Sequence, residues 1–211
     1  MSHKGIIYGL VGVIGSGKTY RAEQLLKEAA SENRKVIIGD FSEGIRQVLM
    51  NIFTGKDKEI DLNGAVYSAW KNNEQRIQIP LSKDNKFLDV VKVDGRKLLQ
   101  RTGEYLKELA GEDVWARWTK NYVTEKLVSM GFEDSNCCDV IFGSLRFPCE
   151  ARAVFETAAE TGKQVKIIFC NYQSSLYELN NHISEKFARY FVEFGCKDGE
   201  DITELVKEKF L

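Results

Sequence analysis

Long apolar runs are missing from this chain. None of its 211 residues sits in an uninterrupted apolar stretch close to the ~20 residues that cross a bilayer, and the polar start Met1-Ser2-His3-Lys4 is too short for a signal peptide. An excess of either charge is missing too. Thirty basic residues stand against 31 acidic ones, a net charge of −1, which excludes a broad basic surface for nucleic acid and a strongly acidic tail. With only two histidines, His3 and His182, a zinc site is unsupported. The five cysteines, Cys137, Cys138, Cys149, Cys170 and Cys196, are odd in number and show no C-x-x-C spacing, so they read as reduced thiols. Internal repeats and low-complexity tracts are absent. What remains is the expectation of a cytoplasmic chain, without a membrane or nucleic-acid partner, long enough for one domain with a sizeable core.

What is present concentrates first in Ile6 to Tyr20, IIYGLVGVIGSGKTY. An apolar run of strand composition, Ile6 to Ile14, leads into Gly12-Val13-Ile14-Gly15-Ser16-Gly17-Lys18-Thr19, which matches G-x-x-x-x-G-K-[ST] at every fixed position. That is a phosphate-binding loop. Gly12 and Gly17 are its fixed glycines, and Gly15 adds a third at a variable position. Gly15 and Gly17 permit turn conformations closed to residues with a Cβ, so that successive backbone N–H groups of the loop can face phosphate oxygens. Lys18 would reach the β- and γ-phosphates, and the Thr19 hydroxyl would sit on Mg²⁺. A helix follows, with Ala22, Leu25, Leu26, Ala29 and Ala30 on one face and its positive end toward the same anion.

The remaining pattern alternates strands and helices. Lys35 to Phe41 reads as a second buried strand, and Ser42 as the N-cap of a helix carrying Ile45, Val48, Leu49 and Ile52. From about 54 to 95 no single period holds, and the stretch reads as an inserted or mobile lobe. Leu98, Thr102, Tyr105, Leu106 and Leu109 then mark a helix. Another begins near Asp113 with Trp115, Trp118 and Tyr122 as core aromatics. Asp139 to Leu145 is a third strand, followed by a helix that Gly162 ends and a fourth strand, Val165 to Cys170. Asp201-x-x-Glu204 looks like the capping start of a last helix. The order predicts a doubly wound parallel α/β sheet whose ligand lies at the carboxyl ends of the strands.

Three further segments carry a family resemblance. They are Gly95-Arg96-Lys97-Leu98-Leu99-Gln100 with Gly103-Glu104 and a later Trp115, then Leu145-Arg146-Phe147-Pro148-x-Glu150, and His182-Ile183-Ser184-Glu185. With the phosphate loop they resemble, in order, the R-x-x-L-Q-x-x-G, R-F-P-x-E and H-x-S-E segments of the phage-type deoxynucleoside monophosphate kinases. The resemblance spans residues 6 to about 186 and implies a P-loop nucleoside monophosphate kinase-like fold over 1–211, with ATP and Mg²⁺ as cofactors and a (deoxy)nucleoside 5′-monophosphate as acceptor. It makes Lys18, Arg146 and Arg96 the catalytic candidates and Gly12, Gly15, Ser16, Gly17, Lys18 and Thr19 the donor site, with Thr19 on the metal. Asp40, Phe41, Arg96, Gln100, Glu150, His182 and Glu185 become acceptor-side candidates.

The chemistry asks for similar parts, because phosphoryl transfer gains chiefly from alignment and from neutralising charge on the transferring oxygens. Arginines suit that task through bidentate bonds to phosphate. Alternatives stay open at several positions. Phe41 is a base-stacking ring or core, and His182 is a nucleotide contact or an exposed helix start with Glu185 as capping partner. Glu150 either orients Arg146, pairing with it in the empty enzyme, or favours the helix that follows it. One position departs from the family: Ser144 stands where many relatives carry an aspartate, which leaves open a regulatory nucleotide-binding protein with weak transfer or a kinase of another small acceptor. A homodimer is an allowed state.

Overall fold

The computed structural model describes residues 4–54, 74–80, 87–172 and 185–211, with the backbone alone described at 50–54, 74–80, 87–98 and 132–134. In chain order the elements are β1 (Ile6–Val11), α1 (Lys18–Ser31), β2 (Val36–Gly39), α2 (Glu43–Thr54), β3 (Glu74–Pro80), β4 (Phe87–Asp94) and α3 (Gly95–Ala110). Then come α4 (Val114–Ser129), α5 (Phe132–Cys137), β5 (Asp139–Leu145), α6 (Pro148–Thr161), β6 (Gln164–Phe169), α7 (Lys186–Glu193) and α8 (Thr203–Phe210). The chain divides into two compact units, Met1–Phe41 with Trp115–Leu211, and Ser42–Val114.

The first unit is built on a parallel four-stranded sheet in the order β2-β5-β1-β6, the expected α/β class. Its inner strands are near-continuous apolar runs because helices cover both faces. Ile7, Leu10 and Val11 of β1 and Val140, Ile141, Phe142 and Leu145 of β5 are all at most 1% exposed. From β1 the chain crosses to β2 on one side of the sheet, and from β5 it crosses to β6 on the other. A sheet with that reversal offers its ligand crevice at the carboxyl ends of the two strands, here β1 and β5.

Boundaries differ from expectation where apolar character outruns pairing. β1 ends at Val11 rather than Ile14, since Val11 is the last residue in register with both Leu145 and Phe169, and Ile14 is 47% exposed. β2 is likewise shorter than Lys35 to Phe41. Phe41 is 5% exposed and stacks on Phe142, centroids 5.4 Å apart, so this ring is core and not an open stacking face. The last helix is not opened by Asp201. That carboxylate accepts the Thr203 N–H and hydroxyl while residue 201 bridges Ile168 at the sheet edge, and the N-cap position falls to Ile202.

α7 and α8 are fastened beside β6 by aromatic packing. Phe187 meets Phe191 edge-on at 5.2 Å and Phe210 at 4.9 Å, and Phe191 in turn touches Phe169 of β6. Removing a ring buried like Phe191, 0% exposed, costs about 3–5 kcal/mol. This packing fixes the start of α7, and with it Glu185.

At the amino ends of the strands the polar groups are matched. Asp139, 2% exposed, accepts the Ile6 N–H at 2.8 Å through Oδ1 and pairs with Arg34 through Oδ2. Lys163 Nζ donates to the carbonyls of Ser135, Cys138 and Asn136 at 2.6, 2.9 and 3.2 Å. Burial lowers its pKa from the usual lysine value.

The second unit contains α2, α3 and an antiparallel β3–β4 pair whose register shifts between Arg76 and Ile77. Ser42 contributes the carbonyl that accepts the Arg46 N–H at 3.1 Å, as at a helix start. The expected lobe over about 54–95 contains this pair, and its stretches 55–73 and 81–86 lie outside the described residues. Among the described residues no helix is long and apolar enough to cross a membrane.

Candidate functional site

The glycine loop leaves β1 as its motif requires. Gly15 and Gly17 take φ of 79° and 89°, in the left-handed region that favours glycine, and Gly17 is the N-cap of α1. The first intrahelical bond runs from Arg21 N–H to the Gly17 carbonyl at 2.9 Å. The N–H groups of Lys18, Thr19 and Tyr20 therefore precede the helix ladder, where anions bind. Gly12 is required by closeness: a Cβ there would stand 2.2 Å from Ser16 Oγ and 2.4 Å from the Cys170 carbonyl. The strand end after β6 clamps the loop, since Cys170 N–H donates to the Val11 carbonyl at 2.7 Å and Tyr172 N–H to the Ser16 carbonyl at 3.1 Å.

Ser16 is 2% exposed, and its hydroxyl has no hydrogen-bond partner among the described residues. Such a group buried without a partner costs about 1–3 kcal/mol, so it marks a place where a ligand oxygen would be stabilising. Lys18 is turned back on its own loop, donating to the Gly12 carbonyl at 2.5 Å and the Val13 carbonyl at 2.7 Å. Its pKa is lowered to about 8, first by burial and then by the Arg146 cation, against the opposing pull of Glu185. The lysine thus rests with its charge poorly compensated. A polyanion at the helix start would relieve that.

Two other expected residues converge here. The Val11–Leu145 pairing brings the loop and Arg146 off the sheet side by side. In the Arg146-Phe147-Pro148-Cys149-Glu150 turn, Pro148 opens α6, and Glu150 accepts through Oε2 the N–H of Arg146 at 2.6 Å and of Phe147 at 3.2 Å. Glu150, 6% exposed, therefore braces the helix start, its Oε2 serving the backbone N–H groups of the turn rather than the Arg146 guanidinium. Arg146 is exposed and donates its Nε to Ser144 Oγ at 3.2 Å. Proline and glutamate have local structural work in this turn, and the arginine has little.

Glu185 is the other arrival. Only 4% exposed, it accepts the Ile14 N–H at 2.9 Å through Oε2, so it holds the loop's backbone directly. Thr19 is exposed in the first turn of α1. For a divalent ion the described residues offer the Thr19 hydroxyl and no group of three or more His, Cys, Asp or Glu side chains. That donor set suits Mg²⁺ carried mainly by phosphate oxygens and water.

Asp40 follows β2 and accepts the Thr119 hydroxyl on its carbonyl at 3.5 Å. Arg96 and Gln100 lie on α3 in the second unit, Arg96 with its side chain outside the described residues. His182 lies outside them altogether. Sequence reading passed over Cys170 and Tyr172, whose backbones clamp the loop. The available signal was their position, immediately past a buried strand at its ligand end.

No protein-family profile matches the chain, and no curated protein matches it. Among solved structures it is similar to a mutant of the Mycobacterium tuberculosis APS kinase CysC, at 11% identity over 90% of this chain and 96% of that one, with a TM-score of 0.33. It is similar also to APE1195, at 16% identity over 92% of this chain and 73% of that one, with a TM-score of 0.33.

Proposed function

We propose that the protein transfers the terminal phosphoryl group of ATP to a (deoxy)nucleoside 5′-monophosphate. The observation that carries this reading is the poorly compensated Lys18, folded onto the Gly12 and Val13 carbonyls beside an unpartnered Ser16 hydroxyl, with Arg146 arriving from the neighbouring strand. In this reading Lys18 leaves its carbonyls for the donor phosphates, and the helix-start N–H groups and the Ser16 hydroxyl hold their oxygens. Arg146 presents a planar guanidinium to the transferring or acceptor phosphate. Thr19 would hold Mg²⁺, which supplies charge neutralisation on the phosphates when bound. Arg96 and Gln100, with Asp40 and His182, are proposed to serve the acceptor side, while Glu185 serves the donor loop through the Ile14 N–H.

Ser144 favours a second reading. Its hydroxyl receives the Arg146 Nε at the end of β5, where a carboxylate would organise metal waters, and a nucleotide-binding protein with weak transfer would be built this way. The deciding experiment is coupled ADP release with ATP and Mg²⁺ across a panel of ribo- and deoxyribonucleoside monophosphates. Acceptor-dependent release with one base class is the expected result. ATP binding with no acceptor-dependent release by any member would leave the second reading in place of the first.

A further inference from the structure

The side chains of two tyrosines beside the loop have no part in the roles described so far. Tyr20 follows Thr19 in the first turn of α1 and is 56% exposed, and Tyr172, just past Cys170, is 67% exposed. Their ring centroids lie 5.9 Å apart with planes tilted by 33°. Large aromatic faces left in water at the mouth of an anion site lose stabilisation that an aromatic ligand would restore.

The placement is fixed by the loop rather than by packing of the rings. Tyr172 N–H donates to the Ser16 carbonyl at 3.1 Å. A Cβ on Gly17 would come within 3.1 Å of the Tyr172 Cβ, so the absence of a side chain at Gly17 lets Tyr172 lie against the loop. Tyr20, for its part, is carried by the helix start that presents the anion-binding N–H groups. Both residues are therefore anchored through their backbones beside the place where phosphates would sit.

Resting on the reading of the loop as a nucleotide site, we infer that Tyr172 and Tyr20 form the stacking platform for the base of the phosphoryl donor. The base is the one large aromatic part of a nucleoside triphosphate, and the chain linking it to the phosphates keeps it near the loop. A centroid separation of 5.9 Å is too small to admit a base between the rings, because two stacking distances amount to about 7 Å. The base lies on the outer face of the pair, chiefly on the more exposed Tyr172, with Tyr20 backing that ring. Stacking of this kind tolerates any base with a wide π-face.

The test compares a donor that has a base with one that has none. Binding of ATP and of inorganic tripolyphosphate, each with Mg²⁺, is measured by titration calorimetry on the wild type and on Tyr172→Ala, Tyr172→Phe and Tyr20→Ala. Tyr172→Ala is expected to weaken ATP about 5- to 100-fold while leaving tripolyphosphate within twofold, with Tyr172→Phe restoring ATP and Tyr20→Ala giving a smaller, equally selective loss. Unchanged ATP affinity in Tyr172→Ala would overturn the platform. Equal weakening of both ligands would overturn it as well, since that is the mark of a distorted loop. Should Tyr172→Ala fail to fold, Tyr20→Ala carries the same comparison. A wild type that binds neither ligand fails the nucleotide reading itself, which separates that failure from the loss of the platform alone.

Discussion

The two ends of the parallel sheet each hold a lysine folded onto backbone carbonyls, and they differ in what surrounds the charge. Lys163, at the amino end, reaches three carbonyls, matching the three donors of an ammonium group. Lys18, at the carboxyl end, reaches two carbonyls and stands near the Arg146 cation, beside a buried hydroxyl with no partner among the described residues. Burial lowers both pKa values. The same residue type in the same kind of contact is thus a finished joint at one end and a held reserve at the other. Full matching of donors separates a structural polar group from a functional one, and burial alone does not.

The largest effects should come from deleting each lysine. Lys18→Ala is expected to cut turnover at saturating ATP by about 10³-fold or more with the melting temperature within about 3 °C of the wild type. Lys163→Ala should do the reverse. Three carbonyls lose their donor, costing ~3 kcal/mol and lowering the melting temperature by about 6–12 °C, with turnover per folded molecule retained. Calorimetric melting and steady-state ADP release on both variants check the contrast; a Lys163 variant that melts normally but loses turnover would erase it.

Next in size is Arg146→Lys. The charge remains and the bidentate fork goes, so turnover should fall about 10- to 100-fold. The melting temperature should not move, because Glu150 holds the turn through backbone N–H groups that this change leaves intact. A destabilised variant with full turnover would return the arginine to a structural role.

Proton linkage sharpens the comparison further. Lys18 titrates at about 8 in the folded chain against an ordinary 10.5. Between those values the unfolded chain holds a proton that the folded chain has lost, so this group makes stability rise with pH across the window. A bound polyphosphate favours the charged lysine and reverses the shift. Nucleotide binding at pH ~9 should therefore take up close to one proton (~0.9), and almost none at pH ~6.5. Calorimetry in buffers of different ionisation enthalpy measures it, and equal uptake by Lys18→Ala would assign the proton elsewhere. The smallest effect belongs to Glu185→Gln, whose amide oxygen can still accept the Ile14 N–H while the charge that raises the Lys18 pKa is gone. The alkaline limb of its kcat/KM profile should move to lower pH, and an unmoved limb would count against the coupling.

These contrasts were unevenly legible in the sequence. β5 was readable to its ends, Asp139–Leu145, because its buried apolar residues Val140, Ile141, Phe142 and Leu145 stand out between polar turns. The overrun of β1 into Ile14 has the same origin, since composition cannot tell a paired apolar residue from one in an exposed loop. β3 was not legible because Glu74–Pro80, EQRIQIP, carries too few apolar residues to show a period. In the site, the loop and Arg146 were readable as chemistry, and Glu150 had two readings that local sequence could not separate. Glu185 reaches the loop across 171 residues of chain, which only the tertiary fold supplies.

Cys170 lies at the seam between β6 and the loop, 2% exposed, with its thiol pushed up to about 11 mainly by burial. At neutral pH so little thiolate exists there that an alkylating reagent finds almost nothing to attack in the closed state. Modification of this cysteine then proceeds through moments when the seam parts, and its rate is a clock for them. Read by peptide mass over hours, that clock would time the opening of the loop against the sheet, slowing when any ligand holds Gly12 to Thr19 in place.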